Sequence, residues 1–519
     1  MLGGSELFFR STLKLERQRH LRIDATTMSN IHRSIGFSAV DRYGSTLFQV
    51  VSLAILARLL SPREFGVYST VYAFTALATV SYREFGGANY LIQKSGLTEE
   101  RIRTAFTISL ALSCAFALIL FGLRDLAATF YAHEGLRAGM AAAALNFLLS
   151  PFAGTMSALL RRNMQFNVLA PCNLTASFVT AVASVLLAAL GYSFMSPIFG
   201  TLVGQTILVL LLMIASGHLR RFLPRIEGWQ DVIAFGVYSS VVSVVNAFDK
   251  ASPQLIIGRM LDFSAVGLYG RAVNIAEMFD KVVLDVLRPV IMPAVVAQTR
   301  AGADLRSVYL RAVELLTAVQ WPFLSFTAIM ADPIVRILLG PGWLEIVPLI
   351  RMLCVASLSC FSFCLTYPVL VAMGRIRDAL VATMIGVPPS ILLVFIASFF
   401  SLWAVAGVAL VILPFQMVVA LYFVSRRLAI HPSDLLSAVR KSAIVAVASA
   451  AGSMVTVGLN GFDFDVSPLG FFGAAGGAFT GWSIALVLGQ HPLLGQIWLA
   501  GKDLLSMIGS KQALSNPAK

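Results

Sequence analysis

The sequence predicts an all-α polytopic membrane protein of about fourteen transmembrane helices, arranged as two six-helix lobes in parallel duplication plus two additional C-terminal helices. Three observations carry that expectation. The 519 residues are 58% hydrophobic and only 13% charged, more apolar surface than soluble domains of this length can bury. The apolar residues come in runs near the roughly 20 that cross a hydrocarbon core about 30 Å thick. A short pattern in the first half of the chain returns 201 residues later, at the same place in the order of runs.

Taken in order, the runs lie near 36–58, 65–87, 104–123, 136–157, 169–191, 194–216, 231–256, 264–290, 308–331, 345–371, 378–400, 403–424, 442–459 and 468–489. They divide the chain into a tail at 1–35, a first lobe at 36–217, an inter-lobe loop at 218–230, a second lobe at 231–424, a loop at 425–441, two further spans at 442–489 and a tail at 490–519. An even number of spans puts both termini on one side. Of the 39 Lys and Arg, 26 fall on the side of the termini, six on the other, and seven within spans. Positive loops stay cytoplasmic, so both termini are expected there.

Residues 1–27 are basic and polar and show no secretory pattern, and Met28 opens a second plausible start, so this stretch reads as a solvated extension or as untranslated. The segment QIWLAGKDLLSMI at 496–508 carries apolar residues at helical spacing. It suits an interfacial helix on the inner surface, or a frayed tail.

The net charge of +13 is spread in small groups between apolar runs, which argues for topology signals and against a nucleic-acid patch. Cys114, Cys172, Cys354, Cys360 and Cys364 all lie inside apolar runs without C-x-x-C spacing, so neither a disulfide framework nor a metal site is expected. There is no P-loop, and the outer loops near 124–135 and 460–467 hold only an isolated His133 and the pair Asp463 and Asp465. A polymerase or glycosyltransferase needs catalytic groups gathered in a sizeable loop or domain, so the chain reads as no enzyme and as needing no cofactor, with coupling to H+ or Na+ left open.

The recurring pattern is R-x-L-x5-G-x-Y. It stands in ARLLSPREFGVYS as Arg58, Leu60, Gly66 and Tyr68, and in GRMLDFSAVGLYG as Arg259, Leu261, Gly267 and Tyr269. A six-span repeat preserves orientation, so its two copies should be related by an axis along the membrane normal, with a cavity between the lobes. The plainer reading is a pair of tight hairpins in which Gly66 and Gly267 supply backbone freedom and the arginines anchor at headgroups.

With LARLLSPREFGVYS after the first run, SALLRRNMQF after the fourth, LIIGRMLDFSAVGLYGRA into the eighth and ILLGPGW before the tenth, the chain from about residue 30 to 430 resembles the bacterial polysaccharide transporters, or Wzx-type flippases, of the multidrug/oligosaccharidyl-lipid/polysaccharide exporter superfamily. The resemblance implies two six-span lobes, alternating access, and a polyprenyl-diphosphate-linked glycan moved from the cytoplasmic to the outer leaflet. It also implies a pathway shared with a polymerase and glycosyltransferases, and no nucleic acid.

Ionisable groups within spans are costly unless paired, so each is a functional candidate. They are Asp41 and Arg42 in the first run, Arg83 and Glu84 in the second, Asp249 and Lys250 in the seventh, Glu314 in the ninth, Arg351 in the tenth and a series in the eighth. At about 100° per residue, Arg271, Asn274, Glu277, Lys281, Asp285 and Arg288 share one face of a continuous helix. Glu277 with Lys281, Lys281 with Asp285 and Asp285 with Arg288 are then spaced to pair along it. That stripe is expected to line a hydrated cavity. Arg271 has no acidic residue three or four positions away and is the first candidate for a substrate anion, because a guanidinium offers forked donors to phosphate.

Arg42 is the second candidate for the anion, and Glu277 and Lys281 complete the substrate-facing set. Lipid-linked-precursor flippases related at a distance carry arginines on the first, second and eighth spans, which the resemblance maps to Arg42, Arg83 and Arg271. Arg83 also suits an anchor at the inner boundary. Asp249, with Asn246 one turn away, is the candidate for ion coupling, or else pairs with a cation on a neighbouring span. A multidrug antiporter of the same superfamily is the alternative function, and it calls for an acidic cavity rather than unpaired arginines.

Overall fold

The computed structural model describes residues 36–85, 87–94, 96–216, 222–227, 229–284, 304–498 and 502. The described residues are helical almost throughout, with no strand among them. A chain in lipid must satisfy its backbone within each segment, and helices do so locally. They group into two compact units. One takes the described residues up to Leu53 and from Ala78 to Ser240, and the other takes Ala54–Leu77 and those from Val241 onward.

In the first unit, α1 (36–59) begins the chain, and the latter part of α2 (Pro62–Phe85) leads into the short α3 (Ala88–Gln93). The long helices α4 (Glu99–Phe130), α5 (Gly135–Arg162), α6 (Phe166–Ala189) and α7 (Met195–Ser216) follow. Thr98 starts α4 by accepting from the Arg101 amide at 3.3 Å. Met156, Leu160, Leu169 and Leu212 close the core of α5, α6 and α7. The stretch 222–227 is strapped to α4. The Phe222 ring meets Phe106 at 5.1 Å, Arg103 Nε donates to the Leu223 carbonyl at 2.9 Å, and Arg225 pairs with Glu100 at 2.9 Å and Glu227 at 2.7 Å. Those partners hold the Arg225 guanidinium above its ordinary pKa, the Glu227 hydrogen bond foremost.

In the second unit the chain runs through α8 (Trp229–Met260) and α9 (Phe263–Ala276) to a π-helical turn at Asp280–Leu284. It resumes in α10 (Leu305–Ile329) and α11 (Ala331–Leu338). A 3-10 turn at Pro341–Ile346 precedes α12 (Val347–Ser357), a second 3-10 turn and α13 (Phe361–Ala372), so the tenth expected span is a broken rod. After α14 (Ile376–Ser398) and α15 (Leu402–Leu428), Pro432 and a reciprocal cap between His431 and Asp434 start α16 (Pro432–Leu459). Most of the loop expected at 425–441 is therefore helix. The last long helix is α17 (Pro468–Leu488), followed by the short α18 (492–498).

A Cβ on Gly477 would press on the Gly452 carbonyl, so α16 and α17 meet backbone to backbone at small residues. Trp482 Nε1 on α17 donates to the Ala318 carbonyl at 2.9 Å and fixes the pair to α10. Beyond α17, His491 is 2% exposed, with Nε2 3.3 Å from Ser442 Oγ. Burial, reinforced by Lys441, holds its pKa below the ordinary value.

Ten described helices or helix pairs are long and apolar enough to cross a membrane. Of the other four expected runs, three coincide with α1, α2 and α8, and the eighth, 264–290, opens with α9 and passes beyond the described residues after Leu284. This is a multi-pass membrane protein. Residues 1–27, Met28 and most of the 496–508 segment lie outside the described residues.

The two copies of the repeat pack on each other. Ser61 and Asp262, 201 residues apart, cap α2 and α9: Glu64 N donates to Ser61 Oγ at 3.4 Å, and Ala265 N donates to Asp262 Oδ1 at 2.6 Å. A Cβ on Gly66 would be driven into the Phe263 carbonyl group, and one on Gly267 into the Pro62 carbonyl group. Pro62 and Phe263 are themselves one repeat apart, so the contact is reciprocal, as a local twofold axis requires. Neither glycine is among those with positive φ. Their work is close approach of two backbones, and the expectation of turn freedom is corrected. Trp343 Nε1 donates to the Ala57 carbonyl at 2.7 Å and Arg58 Nη2 to the Ile337 carbonyl at 3.0 Å, which bind α1 to the segment around the Pro341–Ile346 turn.

Candidate functional site

Arg271 sits two turns into α9 and is 5% exposed. Its Cζ lies 4.2 Å from the Phe65 ring centroid, so the guanidinium is stacked over an aromatic face. Its Nε is buried without a hydrogen-bond partner, and no carboxylate among the described residues pairs with it. A buried cation without a counter-ion is costly, and an anionic ligand would relieve that cost. Ser69 on α2 and Gln254 on α8 approach the neighbouring Gly270.

Further along, the pairing differs from the one expected along a single continuous helix. α9 stops at Ala276, Glu277 caps it, and the chain passes into the π turn at Asp280–Leu284. A π turn inserts a residue into the helical repeat, so positions beyond it are rotated from where 100° spacing would put them. Glu277 pairs with Lys250 on α8 at 3.5 Å, not with Lys281 on its own helix. Lys281 Nζ donates to Asn274 Oδ1 at 2.8 Å. Asp285 and Arg288 lie outside the described residues.

Asp249 is held by α14 and α15. Gln416 Nε2 reaches its Oδ2 at 3.5 Å, and the Ser390 hydroxyl also bonds it. Gln416 Nε2 lies 3.5 Å from the Gly386 carbonyl as well. Pro388 and Pro389 lie inside α14 just before Ser390 and remove two amide donors from it. Asn246, one turn away on α8, is exposed, and Ser390 and Gln416 from other helices bond the carboxylate.

The first unit holds a separate charged group. Asp41 Oδ2 accepts from Asn173 Nδ2 at 2.8 Å and Oδ1 from Ser45 Oγ at 3.4 Å. Arg161, in the last turn of α5, feels both Asp41 and Arg83. Its neighbour Arg162 is committed elsewhere: its Nη1 donates to the carbonyls of Leu91, Ile92 and Lys94 and so caps α3. Adjacent residues on a helix point about 100° apart, which divides the RR pair of SALLRRNMQF into one structural and one electrostatic member. Arg42 and Arg83 are exposed. These residues belong to one unit and Arg271 to the other.

Arg161 was missed by the sequence because it stands at a helix end, where arginine reads as a topology signal. Ser390 and Gln416 were missed because neither carries charge. Of the other charges expected in spans, Arg351 has its Cζ 4.7 Å over the Phe464 ring; at Glu314 it is the backbone carbonyl that accepts from Ser442 Oγ, at 2.9 Å. Among the described residues no group of three His, Cys, Asp or Glu side chains is placed to hold a metal ion.

A family model described as polysaccharide biosynthesis protein matches residues 55–348. The chain is 22% identical to the lipopolysaccharide biosynthesis protein WzxC of Escherichia coli (strain K12), over 60% of this chain and 63% of that protein. It is 26% identical to the succinoglycan biosynthesis transport protein ExoT of Rhizobium meliloti (strain 1021), over 63% and 66% respectively. The matches thus span a little under two thirds of these relatives' own length. Among solved structures, the lipid II flippase MurJ in an inward closed conformation superposes with a TM-score of 0.69 at 13% identity, covering 89% of this chain and all of that one. An inward-facing multidrug resistance MATE family transporter gives 0.62 at 14% identity, covering 75% and 98%. Likeness at this identity shows a shared fold.

Proposed function

The chain belongs to the polysaccharide biosynthesis protein family, and from that membership and the geometry of Arg271 we propose that it is a flippase carrying polyprenyl-diphosphate-linked oligosaccharide units across a bacterial inner membrane by alternating access. Names of relatives that speak of lipopolysaccharide biosynthesis and succinoglycan transport support the substrate class. The observation that carries the reading is a buried guanidinium with an unpaired nitrogen and no carboxylate partner among the described residues. A diphosphate linker is the part of such a substrate that least tolerates lipid, and Arg271 offers it charge-assisted hydrogen bonds in a site of low dielectric. A cationic drug would meet repulsion at the same place, which disfavours the antiporter reading.

In this reading both termini face the cytoplasm, and the Pro62/Phe263 end of α2 and α9 faces outward. Arg42, Arg83 and Arg161 then lie near the cytoplasmic ends of α1, α2 and α5, where a diphosphate headgroup arrives, and Asp41 with Asn173 limits their net charge. Asp249, Ser390 and Gln416 form the coupling site for H+ or Na+: a carboxylate supplies the charge and the neutral groups supply further oxygens. Glycosyltransferases would supply the lipid-linked unit, and a polymerase would consume it.

Complementation of a polysaccharide-deficient flippase null strain tests the proposal, with export and folded abundance measured on the same cells. Arg271→Ala should lower export at least about tenfold at near-normal abundance, because one charge-assisted hydrogen bond is worth about 1.5–3 kcal/mol. Arg271→Lys should restore part of it, keeping the charge and losing the fork. Normal export by a stable Arg271→Ala protein would overturn the assignment.

A further inference from the structure

Phe65 is 1% exposed and touches two groups that the repeat does not duplicate. One face of its ring carries the Arg271 guanidinium at 4.2 Å. Its other neighbour is the Trp343 ring, edge-on with centroids 5.4 Å apart, whose indole N–H is tied to the Ala57 carbonyl at 2.7 Å. The next residue is Gly66, half of the reciprocal contact with Phe263.

The twofold relation supplies an internal control. One repeat length from Phe65 stands Val266, and one repeat length from Arg271 stands Thr70. The Thr70 hydroxyl donates to the Gly66 carbonyl at 3.0 Å, an ordinary bond within its own helix. The Gly267 half of the contact is therefore made without a cation on a ring. The Arg271–Phe65 stack is an addition on one side only, and closing the two backbones does not require it.

We propose that Phe65 couples the anion site to the α2–α9 closure: a diphosphate that takes the Arg271 guanidinium withdraws it from the Phe65 ring and loosens the first turn of α2 from α9. This deepens the flippase reading, since it names how occupancy of its anion site reaches the outward end of the helices. A ring face and a phosphate compete for one guanidinium, because both interactions need it desolvated and correctly aimed. The ligand's charge-assisted bonds win, and the closure loses the contact that is peculiar to this side. Only a ligand that discriminates between the closed and loosened states can move that equilibrium, and competition for Arg271 supplies the discrimination.

The test uses the full chain in lipid nanodiscs, with the native cysteines replaced and Val266, which is 0% exposed, changed to cysteine as a reporter of the closure. Labelling by a small water-soluble thiol reagent is followed with and without farnesyl diphosphate, and binding of that probe is measured in parallel. The unaltered pair should label faster when the probe binds, by up to about 30-fold, the equilibrium worth of a desolvated guanidinium–ring contact. Phe65→Leu keeps an apolar side chain and removes the ring face. It should label fast without the probe, gain nothing from it, and still bind it.

Arg271→Gln should also label fast and should lose probe binding, which keeps the test decisive if Phe65→Leu fails to fold. Probe-dependent acceleration that survives in Phe65→Leu, or Phe65→Leu and Arg271→Gln proteins as slow as the parent, would overturn the coupling and leave the flippase reading standing. Failure of the unaltered protein to bind the diphosphate probe would overturn both.

Discussion

Replacing Gly66 or Gly267 by alanine probes the closure through backbone geometry alone. A Cβ at 66 stands 2.5 Å from the Phe263 carbonyl carbon and 3.0 Å from its Cα, and one at 267 stands 2.8 Å from the Pro62 carbonyl carbon and 3.2 Å from the Gly66 amide nitrogen. Ordinary contact begins at 3.4 Å. Every obstructing atom is backbone, so no rotamer change relieves the clash and α2 and α9 must move apart. Overpacking of this kind costs about 1–3 kcal/mol. The two contacts are reciprocal, so one separation relieves both, and the double variant should cost little more than either single one. The expected interaction energy is therefore about 1–3 kcal/mol, of the sign that makes the double milder than the sum. Thermal unfolding of the purified protein in detergent, read as a double-mutant cycle, measures this. Strictly additive losses, or a Gly66→Ala protein as stable as its parent, would refute the reciprocal contact.

Trp343→Phe keeps a ring against Phe65 but removes the donor to the Ala57 carbonyl, and should cost about 1–3 kcal/mol in the same unfolding assay. Asp249→Asn should leave probe binding at Arg271 in place and abolish the dependence of transport on an imposed H+ or Na+ gradient, read in vesicles; a retained gradient dependence would remove Asp249 from coupling. The depressed pKa of His491 makes the folded chain bind fewer protons there than the unfolded chain. Its docking against Ser442 is thus fully present above the ordinary value of 6.5 and weakens as pH falls below it. Hydrogen exchange of α18 measured between pH 7.5 and 5.5 should rise at the acidic end, and His491→Phe should flatten the profile.

The helices were legible in the sequence because lipid allows one backbone solution and hydropathy marks its length. Their ends were less legible: the third run was expected from 104 and 425–441 as a loop, whereas α4 starts after Thr98 and α16 at Pro432, because polar first turns extend a helix beyond its apolar run. The repeat was legible from four matched residues, yet the role of its glycines was not. A glycine that turns the chain and one that admits a neighbouring backbone look alike until the neighbour is known. The pairing expected of Glu277 with Lys281 was not the one found, because the sequence does not show that α8 brings Lys250 to Glu277. The charged groups stood out because charge is rare in a span, whereas Ser390 and Gln416 became visible only when three helices brought them to Asp249. Arg161 and Arg162 read as one topology signal until their bonding separated them.

The most direct test of the account is transport of the proposed substrate by the purified protein. Reconstituted proteoliposomes would carry a fluorescent polyprenyl-diphosphate disaccharide in both leaflets, and an impermeant quencher would report its exchange across the bilayer. The account predicts exchange by the unaltered protein, slower exchange of the monophosphate analogue, and a rate at least about tenfold lower in folded Arg271→Ala, from the loss of one charge-assisted bond. No exchange by the unaltered protein above protein-free vesicles under any imposed ion gradient, or an unchanged rate in folded Arg271→Ala, would contradict it.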